Sequence, residues 1–201
     1  MTEMIVVITI TLLAVISPGP DFAMVSRNSL MLSRRAGVLT AVGIGLGVVI
    51  HVGYTLLGLG LLIRNSLWLF NAIKLAGAAY LVWLGLRMLR ARPGAAGEGT
   101  RPAALSDLAA LRTGFLTNLL NPKTTVFIVS LFMQAVRPET PFAVQLGYGA
   151  YIVAAHVVWF CLVALCFSAG TVRARLLRVR HWIDRVFGGL LVGLGALMAA
   201  R

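Results

Sequence analysis

The stretch 117-TNLLNPKTT-125 places two asparagines, a proline and a lysine between segments apolar enough to lie in lipid. A second interruption, 17-SPGPDF-22, stands half a chain earlier. Proline removes a backbone donor and clashes with the preceding turn, freeing carbonyls that lipid cannot satisfy. Such a break is stable only where side chains, other backbone or water meet the freed groups. The fold and the function both turn on what meets them here.

Outward from these motifs the chain is membrane-like. Of its 201 residues 59% are hydrophobic and 12% charged, with a mean hydropathy of +0.91. A soluble domain would be nearer half apolar and a quarter charged. The apolar residues run in long segments, several close to the roughly 20 residues that cross a bilayer core of about 30 Å. The start, Met-Thr-Glu, lacks the basic region of a cleavable signal, so the first segment is expected to be retained. Cys161 and Cys166 have neither CxxC nor metal-ligand spacing and read as small core residues.

The pattern predicts an all-α integral membrane protein with six transmembrane helices. The spans are expected at about 3–31, 36–62, 67–90, 111–135, 142–170 and 179–200. The first and fourth are broken at the proline motifs. The net charge of +12 falls in every second connection: Arg34-Arg35, then Arg87 to Arg112, then Arg173 to Arg180. That is the positive-inside pattern, which puts these loops in the cytoplasm and both termini outside. The basic loops lack the interleaved aromatics of a nucleic-acid face, so no nucleic-acid partner is expected.

The Gly/Pro/Ala-rich stretch 91-ARPGAAGEGTRPAALSDL-108 divides the chain. The expected organisation is a three-helix repeat over 1–90, a flexible cytoplasmic linker over 91–110, and a second three-helix repeat over 111–201. The halves echo each other: 51-HVGYTLLGLG-60 resembles 156-HVVWFCLVAL-165, and His51 and His156 stand 33 and 34 residues after Pro18 and Pro122. Three spans per half make the repeats inverted about an axis in the membrane plane, as in secondary transporters with a midplane site. The pairs Gly43/Gly47 and Gly189/Gly193 read as close-packing surfaces.

Pro18 and Pro122 fall roughly 20 Å and 16 Å into their spans at 1.5 Å per residue, near the middle. Asp21 follows the first break, where a carboxylate suits exposed N–H groups and the positive helix end. Asn121-Pro122 reads as an N-cap followed by proline at the first helical position. Lys123 is the anomaly, because a cation there opposes the dipole of its own helix and is costly in lipid. Lys74 is the other candidate intramembrane lysine. Structural roles compete throughout: packing kinks for the prolines, an ion pair of Asp21 with Lys74 or Lys123, and hydrogen-bonded core positions for His51 and His156.

The motifs SPGPDF, 73-IKLAGAAYLVWLGLRML-89 and 114-GFLTNLLNPKTTVFIVSLF-132 resemble the three signature regions of the lysine exporter (LysE) superfamily, nearest its homoserine/threonine-type (RhtB) branch. The resemblance spans essentially the whole chain. It implies a small carrier of the bacterial inner membrane, embedded in the lipid bilayer and expected as a homodimer, that exports amino acids on the proton motive force. Carried over by motif, the implied substrate-binding positions are Pro18, Gly19, Pro20, Asp21, Lys74, Asn118, Asn121, Pro122 and Lys123. Lysine-exporting members carry an acid in the second span; 45-GLGVVIH-51 has Val48 there, which favours a neutral zwitterion over a dibasic substrate. Asp21, then His51, with His156 as its counterpart, are the candidates for proton coupling. No cofactor, metal or catalytic group is expected, since no His/Cys/Asp cluster has ligand spacing. Export of another small metabolite or ion, or a membrane enzyme or redox carrier, are the alternatives.

Overall fold

In the computed structural model the described residues are 2–58, 66–90, 105–137, 139–169 and 180–200. They form eight α-helices and no strand: α1 (Thr2–Ile16), α2 (Pro20–Met31), α3 (Arg34–Leu56), α4 (Leu67–Leu89), α5 (Asp107–Leu119), α6 (Pro122–Ala135), α7 (Phe142–Ser168) and α8 (Arg180–Ala200). Most of the predicted linker, 91–104, lies outside the described residues, and α5 begins at Asp107.

The helix boundaries follow local chemistry. Ser33 caps α3 by accepting from the Ala36 amide at 3.0 Å, and Ser106 caps α5 by accepting from Ala109 at 3.2 Å. Gly58, at φ +76°, follows α3 in the left-handed region that glycine enters without a Cβ penalty. α2 and α6 each start on a proline, whose missing N–H would be unpaired there anyway. α1 and α2 are bent by 53° across Ser17–Gly19.

α3 is the central helix, packed against α2, α5, α6 and α7, while α4 and α8 pair with each other and α8 leans on α2. One buried cluster joins Val25, Ile44, Val48, Ile128, Ile152 and Ala164; a smaller one joins Ala23, Met24, Leu81 and Leu191. The α3–α5 contact is backbone to backbone. A methyl on Gly114 would overlap the Thr40 carbonyl oxygen, and one on Gly43 would overlap that of Leu111. Gly47 leaves room for the Asn118 side chain in the same way. Gly43/Gly47 is thus a close-packing pair. Gly189/Gly193 is not, having nothing near either Cβ direction among the described residues; α4 and α8 meet instead where Gly85 approaches the Gly188 carbonyl.

The outer surface carries exposed Ile5, Leu13, Val49, Trp68, Val158 and Val186, which water would penalise and lipid would not. By length and composition α3 and the Phe142–Phe167 stretch can each cross a membrane, and α1 with α2 passes as a bent pair. Among the described residues this makes two candidate spans, or three with the bent pair. α6 is apolar but shorter, Pro122–Met133 counting toward it.

Candidate functional site

The two proline-started helices interlock. α2 opens Pro20-Asp21 and α6 opens Pro122-Lys123, so an acid and a base hold the same position in the first turn of each. Asp21 is buried, and its Oδ2 accepts from Asn118 Nδ2 at 2.9 Å and Asn121 Nδ2 at 3.2 Å. Both amides must turn their nitrogen toward the carboxylate, since the other orientation would oppose two acceptors. Asn118 Nδ2 also reaches Thr124 Oγ1 at 3.2 Å, and Asn121 Oδ1 accepts from the Lys123 amide at 3.1 Å. Asp21 Oδ1 is buried with no partner among the described residues.

Lys123 does not pair with Asp21. Its Nζ donates to the Ser17 carbonyl at 2.8 Å and more weakly to that of Ala14 at 3.4 Å. These are carbonyls that α1 leaves open where it ends, at the negative pole of its dipole. The cation that opposes its own helix therefore completes another one. His51 does the same for α5. Its Nε2 donates to the Asn118 carbonyl at 3.0 Å, which fixes Nδ1 as the acceptor facing Tyr54 Oη at 2.6 Å. Each freed helix end thus has a dedicated donor from elsewhere in the chain.

Between the breaks lies a cavity of about 20 Å³. Its lining combines polar and charged groups of Ser17, Gly19, Asp21, Asn121, Lys123 and Thr124 with the rings of Phe22, Phe127, Phe160 and His156. That is roughly the room of one water molecule. A larger molecule enters only if the two breaks separate. His156 is buried, with Nδ1 2.8 Å from the Ile152 carbonyl and its ring 6.3 Å from those of Phe127 and Phe160.

Residues 12–201 match the family described as LysE type translocator. The chain belongs to that family. It is 35% identical over 190 residues to the threonine efflux protein of Escherichia coli K12, covering 92% of this chain and 91% of that one. It is 32% identical over 197 residues to the homoserine/homoserine lactone efflux protein of Salmonella typhimurium, covering 96% and 93%. No solved structure matches. The family expected from the sequence motifs is therefore the one found.

In this member of the LysE family the structure brings Gly19, Asp21, Asn121 and Lys123 to one cavity, with Asn118 immediately behind Asp21. Pro18, Pro20 and Pro122 shape the backbone around it and do not line it. His51 does not line it; His156 does. Lys74 is on α4, but its side chain lies outside the described residues. Sequence reasoning passed over Thr124, Phe127, Phe22 and Phe160. A signal for the first two exists: Asn121, Thr124 and Phe127 recur every third residue, on one side of α6. Among the described residues no three His, Cys, Asp or Glu side chains gather as a metal site.

Proposed function

We propose that this LysE-family protein is a secondary-active exporter of neutral amino acids or close derivatives in the bacterial cytoplasmic membrane. It is driven by the proton motive force and is not an enzyme. The observation that carries this is one cavity bounded by Lys123 and by a buried Asp21 whose Oδ1 has no partner. A zwitterion presents a carboxylate and an ammonium a few ångströms apart. The ammonium meets Asp21 Oδ1, and the carboxylate meets Lys123 and the first amides of α6. Relatives that export threonine and homoserine support this cargo class. The apolar Val48 in α3 supports a substrate without a second cation.

The same contacts link binding to movement. To take a carboxylate, Lys123 Nζ must share or leave the Ser17 and Ala14 carbonyls, the tie between α1 and α6. Substrate binding therefore loosens the cross-link that closes the cavity. When the ammonium departs, a proton on Asp21 neutralises a carboxylate that burial penalises. His51 is less suited to that exchange, because both ring nitrogens are already bonded. Six spans in two inverted three-helix repeats, with α1–α2 and α5–α6 as the broken members, give the two halves that rock about the site.

The test is export from cells and pH-gradient-driven uptake into proteoliposomes against a panel of labelled amino acids. Saturable, gradient-dependent movement of neutral amino acids is expected. Movement of none of them, at any gradient, rejects the proposal.

A further inference from the structure

The cavity is lined by two chemically different sets of side chains. Ser17, Asp21, Asn121 and Lys123 present the charges and carbonyls that suit the α-amino and α-carboxyl groups. The same cavity is also lined by Phe22, Phe127 and Phe160, with one polar ring among them, His156, whose centroid lies 6.3 Å from those of Phe127 and Phe160. Its Nδ1 lies 2.8 Å from the Ile152 carbonyl, which can only accept, so Nδ1 carries the proton of the neutral ring. The bond back to the preceding turn of α7 also fixes the ring's orientation. Nε2 is left as a bare acceptor with no hydrogen-bond partner among the described residues.

We infer that His156 is a specificity-determining residue whose Nε2 accepts a hydrogen bond from the substrate's side chain, selecting neutral amino acids that carry a hydroxyl. This rests on the amino-acid exporter proposed above and deepens it. A phenyl-rich lining with one acceptor fits a short apolar chain ending in a single O–H. A hydrocarbon side chain leaves Nε2 unpaired in a closed cavity, the case in which a site rejects an analogue lacking the donor. A side-chain ammonium would also find the acceptor, but it would be stripped of water against three phenyl rings and close to Lys123.

Threonine and valine have nearly the same shape and differ by hydroxyl against methyl, so their ratio isolates the contact. In proteoliposome counterflow, threonine should compete with labelled substrate about tenfold better than valine, the worth of one net hydrogen bond. Two substitutions separate recognition from support. H156N keeps a donor near Nδ1 for Ile152 but loses the Nε2 acceptor, so the ratio should fall to about one. H156Q can place its carbonyl near the Nε2 position and should keep part of the preference. A residue that only holds α7 in shape gives the reverse order, with Asn preserving the ratio and Gln losing it, and that result overturns the inference. So does a wild-type ratio near one, which decides the matter even if neither variant reaches the membrane. Absence of counterflow with every amino acid would instead reject the exporter, and this inference with it.

Discussion

Replacing Gly114 with alanine should destabilise the protein, although alanine is the better helix former. A Cβ on Gly114 would overlap the Thr40 carbonyl oxygen and stand 2.8 Å from the Thr40 carbonyl carbon and 3.0 Å from its Cα. All three are backbone atoms of α3, so no side chain can swing away. Restoring ordinary separations of about 3.5 Å requires α3 and α5 to part by roughly an ångström or more. Overpacking of this kind costs about 1–3 kcal/mol, against a helix-propensity gain of about 1 kcal/mol. Gly53 and Gly147 are helical too but have nothing within 4 Å of their Cβ directions. Alanine there should therefore keep the gain and stabilise by up to about 1 kcal/mol. The assay is thermal unfolding of the purified protein in detergent. G114A should melt below wild type, and G53A and G147A at or above it. The parting of α3 from α5 also stretches the 3.0 Å bond from His51 to the Asn118 carbonyl, so G114A should lose transport as well as stability. If G114A melts no lower than the two controls, the backbone contact between α3 and α5 is not as described.

Three further outcomes follow from the contacts. Lys123→Met leaves the Ser17 and Ala14 carbonyls without their donor, which should cost about 1–3 kcal/mol and abolish amino-acid binding; Lys123→Arg should recover stability more than binding, measured by melting and by equilibrium binding. Arg35 holds Asp107 through two hydrogen bonds of 2.8 and 2.6 Å, which keep the Asp107 carboxyl below the usual aspartate range. A depressed folded value means the contribution is present above about pH 4 and is lost as pH falls through it. Asp107→Asn should thus lower the melting temperature slightly at neutral pH and progressively less as the pH falls below about 4, with the difference shrinking in high salt. Glu3 accepts from Thr140 Oγ1 at 2.9 and 3.2 Å and sits 3.5 Å from Arg137 Nε, tying the start of α1 to the α6–α7 connection. Glu3→Gln should speed amide exchange over the first turns of α1 while changing global stability by less than about 1 kcal/mol.

What the sequence made legible was local. Asn121-Pro122 carries the chemistry of a helix start within two residues, and α6 starts there with Asn121 capping it. The long apolar runs and the motif triplet pointed to a membrane protein of the family that residues 12–201 match. Lys123 shows the limit. Its conflict with the α6 dipole is a local fact and was visible, but its resolution lies 106 residues away at Ser17, which no local pattern reports. The histidines show it differently. Similar offsets from Pro18 and Pro122 suggested similar roles, yet His51 closes the end of α5 and His156 faces the cavity. Gly43/Gly47 and Gly189/Gly193 share one spacing, and among the described residues only the first pair meets a neighbouring backbone or side chain closely, because helix packing selects among equivalent small-residue faces.

The most direct test of the site is counterflow of a labelled neutral amino acid in proteoliposomes made with wild type and with Asp21→Asn. The substitution keeps an acceptor for Asn118 and Asn121 and replaces the unpartnered Oδ1 with an amide nitrogen, so the fold should survive while the ammonium loses its charge partner. Saturable exchange by wild type and its loss in the folded variant are expected. Exchange by Asp21→Asn at the wild-type rate and affinity would remove Asp21 from the site.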